Sequence, residues 1–163
     1  MPASNQNSTH QLMQVALGEA EADLAIVNGT IVNVYTGELL KGDTVLIKGD
    51  KVAYVGKNAA PAIEANTQVI DAMGKTIIPG FIDGHTHIIN GIYSMSELVK
   101  YAMKSGTTTI ITESGEFGFP LGYQGVVEAI REVRRQPIKI FLVVPPMVTV
   151  SPAAKEHVFT VSE

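Results

Sequence analysis

From residue 79 onward, segments with strand character alternate with segments of helical periodicity. Strand patterns cover residues 79–88, 107–112 and 138–144, and the last two are β-branched or nearly all apolar. Between them, Ser94 and Glu97 have capping-box spacing before one apolar helical face. The four glycines of residues 115–125 predict a loop, after which Val126, Val127, Ile130 and Val133 form another helical face. Strands separated by helices must pair in parallel through right-handed crossovers. The pattern predicts the opening of a β/α barrel, with a doubly wound sheet as the alternative.

The region before residue 79 predicts a different architecture. Residues 23–78 contain short strand patterns separated by turn residues, among them Asn28-Gly29 and Gly49-Asp50, which favour two-residue hairpins. We expect a small antiparallel β-sandwich module here. Residues 1–22 predict a disordered lead-in to residue 7 and a short helix that begins at Ser8 and ends at Gly18. The predicted division is therefore 1–22, 23–78 and 79–163, the last part being a truncated barrel.

Side chains able to bind a metal ion gather where the two architectures meet. In an extended strand, alternation places Asp83, His85 and His87 on one face, while Ile82 and Ile88 turn toward the core. Two imidazoles separated by one residue can hold one ion and leave its other positions open. Such a pair is a weak signal alone. Pro79-Gly80 before it, and Gly84 within it, where a ligand or backbone could approach, strengthen the prediction.

Composition excludes several classes of function. The chain has 12 basic and 16 acidic residues and no cysteine, so it predicts no nucleic-acid partner, no disulfide and no thiolate metal site. No apolar run is long enough to span a bilayer, and the polar segment 1–10 does not resemble a secretory signal. We therefore expect a cytoplasmic protein without a membrane partner. His10 and His157 lie in polar segments and are expected to be incidental surface residues.

The segment 79–88 resembles the first barrel strand of the amidohydrolase superfamily. It matches the pattern PGxIDxHxH at the six positions Pro79, Gly80, Ile82, Asp83, His85 and His87. The resemblance extends from about residue 12 to residue 144. Within the superfamily, the chain resembles the adenine deaminases in particular. It includes the stretches 22–24, 31–38, 69–72 and 106–109. It implies that His85 and His87 bind a divalent metal such as zinc, manganese or iron, with Asp83 either orienting a ligand or making a purely structural hydrogen bond.

Three segments depart from the adenine deaminase pattern, and all follow predicted strands. Residues 88–91 read Ile-Ile-Asn-Gly where the family has Ile-Glu-Ser-Ser, and residues 145–149 replace Pro-Ser-Cys-Val-Pro. The family's Asp-Pro-His-Glu becomes residues 113–116, which keep only the final glutamate. Glu113 and Glu116 are nevertheless the candidates for a ligand, an orienting group or a proton-transfer group at this rim, and the resemblance favours Glu116. The alternative is that both are solvated loop residues.

The resemblance implies hydrolysis of a C–N bond other than a peptide bond, with adenine giving hypoxanthine and ammonia in purine metabolism. The alternatives are a cyclic amidase of the dihydroorotase or imidazolonepropionase type, or an amino-sugar deacetylase. A barrel needs about 250 residues, and the family's catalytic aspartate would lie beyond this chain. We therefore expect an amino-terminal portion that is inactive alone. A non-catalytic interaction protein is the rival reading, and since its sheet would expose an apolar edge and face, we expect a homo-oligomer.

Overall fold

A computed structural model describes the backbone of residues 3–88, 94–113 and 115–143. The chain divides into two compact units, Met1–Pro79 and Gly80–Glu163. The three-part division expected from the sequence stays a prediction. Among the described residues, no helix is long and apolar enough to cross a membrane.

The first unit begins with helix α1, Ala3–Leu17, which packs against a small sheet. Its Val15 is 1% exposed and lies in a core with Ala25 and Leu46. The expectation of disorder to residue 7 is wrong, because the helix begins at Ala3 rather than after a cap at Ser8. Once a helical turn has formed, each further residue adds a hydrogen bond at little cost, so polar residues without strong breakers extend it.

Seven strands form two sheets in the first unit. One sheet has the order β5-β4-β1-β6 and the other β3-β2-β7. The strand bounds are β1 Leu24–Val27, β2 Thr30–Val32, β3 Leu39–Lys41, β4 Thr44–Lys48, β5 Lys51–Gly56, β6 Gln68–Asp71 and β7 Thr76–Ile77. The β4-β5 hairpin at Gly49-Asp50 is confirmed. The module is mixed rather than antiparallel, because β1 pairs in parallel with β6, and β2 with β7.

The predicted hairpin at Asn28-Gly29 is wrong, because β1 and β2 belong to different sheets. Asn28 has a positive φ of 57°, and its carbonyl accepts a hydrogen bond from Gly74 N–H at 2.7 Å. A Cβ on Gly29 would lie 2.4 Å from Cδ1 of Ile77. The turn therefore passes the chain from one sheet to the other beside the β6-β7 connection. Turn chemistry specifies a local bend, whereas the long-range partners decide which strands pair.

The carboxylate of Glu21, between α1 and β1, is hydrogen-bonded to the residues just before β6. Glu21 accepts hydrogen bonds from the backbone and side chain of Asn66, at 2.6 and 3.1 Å, and from the Thr67 hydroxyl. These bonds, with Asn66 the main contributor, lower the pKa of Glu21 below its ordinary value. The Lys48 ammonium and the Gly49 N–H likewise lower the pKa of Asp23.

Both shifts predict loss of stability in acid. A carboxyl whose folded-state pKa is depressed stabilises the fold above its unfolded pKa, and this contribution disappears as pH falls through the folded pKa. The urea midpoint should therefore fall between about pH 5 and pH 3, within the carboxyl titration range. Glu21→Gln should show a smaller fall, whereas Glu19→Gln is the control. An equal fall in Glu21→Gln and the wild type would contradict this assignment.

The second unit contains a parallel sheet of order β10-β9-β8, as the alternation predicted. Its strands are β8 Phe81–Thr86, β9 Thr107–Glu113 and β10 Lys139–Val143, and its helices are α2 Met95–Lys104 and α3 Gly115–Val133. Ile110 of β9 is 2% exposed and shares a core with Val99 of α2 and Val133 of α3. We call this side, which also carries Thr112, the Ile110 face, and the side that carries Thr109, Ile111 and Glu113 the Glu113 face.

Ser94 is the N-cap of α2, as its spacing predicted, since its side chain accepts a hydrogen bond from Glu97 N–H. The Glu97 carboxylate pairs with Lys100. The prediction of a glycine-rich loop over residues 115–125 is wrong, because α3 begins at Gly115. Glycine costs about 1 kcal/mol per residue within a helix without forbidding it. The buried face of Val126, Ala129 and Val133 supplies packing that isolated propensity does not include.

Candidate metal centre

The pairing of β8 with β9 contains two register shifts of opposite sense. The first gives β9 an extra residue at Thr108, since Phe81 aligns with Thr107 and Ile82 with Thr109. The second gives β8 an extra residue, since Asp83 aligns with Ile110 and Thr86 with Thr112. The two shifts cancel over the length of the strand.

The register corrects two predicted orientations. Asp83 aligns with Ile110 and therefore lies on the Ile110 face, rather than with His87, which follows Thr86. Ile82 aligns with Thr109 on the Glu113 face and is 68% exposed, so it does not pack into the core, whereas Ile88 is 5% exposed as expected. The physical reason is that strict alternation fails wherever one strand carries an extra residue.

The two imidazoles lie together, as the histidine spacing predicted. Nε2 of His85 and Nε2 of His87 are 3.2 Å apart, with ring centroids 5.0 Å apart and rings nearly perpendicular at 82°. Both side chains are exposed. Two ligand atoms on a tetrahedral zinc ion at about 2.0–2.1 Å would be separated by roughly 3.3 Å. The pair therefore has the spacing that one ion requires.

Glu113, at the end of β9, is the third member of the group. One carboxylate oxygen of this half-buried residue and one ring nitrogen from each of His85 and His87 all lie within 4.8 Å of one another. Two imidazoles with a carboxylate form a donor set suited to zinc, iron or manganese. The residues present thus fit a divalent metal, and these three would hold it. The arrangement leaves coordination positions for water or substrate.

The other sequence candidates fall only partly within the described residues. Glu116 lies in the first turn of α3, and its side chain is outside the described residues, as are His157 and the segments 89–91 and 145–149. His10 is exposed on α1. Gly84 meets no described atom within 4 Å of an added Cβ, so the expected close approach of backbone is not found there.

Thr112 is the residue that the sequence reasoning missed. It is 1% exposed, and its hydroxyl accepts a hydrogen bond from Ile88 N–H at 3.4 Å. Thr112 precedes Glu113, and Ile88 follows His87, so this contact joins the two strands at the metal-binding group. Gly84 within a strand was the available signal for the nearby bulge. A run of β-branched residues predicts a buried strand, but it does not indicate that the hydroxyl of one threonine makes a buried hydrogen bond.

A cavity of about 390 Å³ lies at the opposite ends of the strands, lined by residues that include Thr107, Pro137 and Lys139. These residues lie at or before the amino-terminal ends of β9 and β10. In β/α barrels, catalytic groups lie at the carboxyl ends, where His87 and Glu113 are found. The cavity is therefore not assigned to the metal-binding group.

Comparisons with known proteins agree with this geometry. Residues 68–118, which include the histidine pair and Glu113, match the amidohydrolase family. The fold is similar to a triazine hydrolase from Arthobacter aurescens, with a TM-score of 0.55 and 16% identity over 87% of this chain and 40% of that one. At this identity the likeness concerns the fold alone. The chain is therefore similar to enzymes of the amidohydrolase family.

Within that family, the chain is similar to adenine deaminases. It is 36% identical over 152 residues to adenine deaminase 3 of Rhizobium meliloti (strain 1021), covering 93% of this chain and 26% of the relative. It is also 36% identical over 148 residues to the adenine deaminase of Moorella thermoacetica (strain ATCC 39073 / JCM 9320), covering 91% and 24%. The chain thus spans about a quarter of the length of these relatives.

Proposed function

We propose that this chain forms the amino-terminal, metal-binding part of a hydrolase that converts adenine and water to hypoxanthine and ammonia in the cytoplasm. The observation that carries the proposal is the convergence of His85, His87 and Glu113 within 4.8 Å. The similarity to adenine deaminases over more than nine-tenths of the chain supports the choice of substrate. Turnover is expected only from a protein that adds further barrel strands.

The chain's own residues have defined tasks in this mechanism. His85 and His87 would hold the ion through their ring nitrogens, and the exposed position of both rings keeps one side accessible to a small molecule. A divalent ion supplies Lewis acidity and lowers the pKa of water. The Glu113 carboxylate would either complete the ligand set or hold a proton for the leaving nitrogen. One of its oxygens lies within 4.8 Å of a ring nitrogen of each histidine.

The difference of residues 113–116 from the adenine deaminase pattern supports a second candidate substrate. Glu113 stands where the adenine deaminase pattern has aspartate, and the histidine of that pattern is absent. Because Glu113 ends β9 at the rim that would meet substrate, a cyclic amide is the second candidate substrate. Both reactions use water and the same metal-binding group.

Glu113→Gln tests the assignment within this chain. It should weaken binding of Co²⁺, used as a spectroscopic probe, by at least about tenfold, since a neutral amide is a poorer ligand than a carboxylate. Glu116→Gln tests the competing candidate, and Glu128→Gln, on the exposed part of α3, is the matched control. Isothermal titration and the visible spectrum report affinity and geometry.

The product of the complete reading frame should then be assayed with adenine and with cyclic amides. Ammonia release from adenine supports the proposal, whereas turnover of cyclic amides alone would replace the substrate. If wild-type protein binds no divalent metal, the enzymatic proposal fails and a non-catalytic interaction protein becomes the better reading.

A further inference from the structure

The bulge in β8 decides which face of the sheet the histidine pair occupies. If the register of Asp83 opposite Ile110 continued without an extra residue, His85 would align with Thr112 on the Ile110 face. The extra residue instead aligns Thr86 with Thr112, so His87 lies on the same face as Glu113. A slip of one residue turns every following side chain to the other face. The bulge is therefore a condition for the three ligands to meet.

Two side chains hold the backbone on either side of this pair. Within the bulge, Oδ1 of Asp83 accepts a hydrogen bond from His85 N–H at 3.2 Å. Beyond it, Oγ1 of the buried Thr112 accepts one from Ile88 N–H at 3.4 Å. A bulge disrupts the regular ladder locally, and amides displaced from it need other partners. Asp83 supplies such a partner to the amide of His85 within the bulge, and Thr112 supplies an acceptor to the amide of Ile88, immediately after His87.

We propose that Asp83 and Thr112 are positioning residues that fix the β8 bulge and thereby present His85 and His87 to the metal on the Glu113 face. This inference rests on the proposed metal site. Neither side chain needs to touch the ion, because Asp83 acts through the backbone amide of His85 and Thr112 through that of Ile88, the residue after His87. Loss of either contact populates the regular register, and metal affinity falls in proportion to the fraction of chains that remain competent.

The test uses paired variants of the 163-residue chain and two readouts. Asp83→Ala and Thr112→Val should weaken Co²⁺ binding by about 10- to 100-fold, the range typical of groups that orient ligands. Asp83→Asn and Thr112→Ser keep an acceptor oxygen and should retain wild-type affinity and the wild-type cobalt spectrum. Thr109→Val, on the same strand, is the control for replacing a threonine.

Amide hydrogen exchange of the metal-free chain separates this inference from the metal assignment. Exchange at His85 should accelerate in Asp83→Ala and that at Ile88 in Thr112→Val, with recovery in the conservative variants. If wild-type protein binds no cobalt, the proposed function fails while exchange still tests whether the two contacts hold the bulge. Unchanged exchange, or accelerated exchange with unchanged cobalt affinity and spectrum, would overturn the positioning role.

Discussion

Alanine at either His85 or His87 should abolish tight binding of a divalent metal. The two ring nitrogens are 3.2 Å apart, so each variant leaves one imidazole with Glu113 and removes half of the nitrogen donors. The affinity for Co²⁺ should fall by more than about 100-fold, beyond the 10- to 100-fold typical of residues that only orient a ligand. Metal content after purification and direct titration both measure this loss.

His10→Ala is the matched control for the histidine variants, because His10 is exposed on α1 in the other compact unit. It should retain the wild-type metal content. Circular dichroism should show that both site variants remain folded, since His85 and His87 are exposed and make no part of the hydrophobic core. Unchanged metal content in both variants would remove the assignment.

Gly80→Ala should destabilise the protein by about 1–3 kcal/mol, the range for inserting an atom into packed structure. An added Cβ would lie 2.2 Å from Oγ1 and 2.3 Å from Cγ2 of Thr108. Rotation of the Thr108 side chain does not remove the conflict, because its Cβ would also lie 2.8 Å away. Thr108 is the extra residue of the first register shift, so the strain acts directly on the pairing of β8 with β9.

Gly84→Ala is the control, because a Cβ there meets no described atom within 4 Å. Urea unfolding should separate the two variants. In the double variant Gly80→Ala with Thr108→Ala, the contacts with Oγ1 and Cγ2 disappear and the contact with Cβ remains. Recovery should therefore be partial, and a double-mutant cycle measures the coupling. Equal stability of the Gly80 and Gly84 variants would contradict the predicted conflict.

Sequence patterns predicted an element correctly where the local signal and the contacts with distant residues favour the same structure. The N-cap at Ser94, the hairpin at Gly49-Asp50 and the parallel sheet are examples. At Asn28-Gly29 the same turn chemistry gave the wrong pairing, because β1 pairs with β4 and β6, and β2 with β3 and β7, in different sheets. The helical start of α3 was missed because glycine content was given more weight than the packing of its later residues.

The sequence by itself determined that two imidazoles share one face of a strand, because side-chain alternation is a property of extended backbone. It also indicated the similarity to the amidohydrolase family, through the motif around His85 and His87. Only the tertiary structure decided that Glu113 joins them and that Asp83 lies on the other face. Those outcomes depend on register shifts between β8 and β9, and register is set by contacts between strands more than 20 residues apart in sequence.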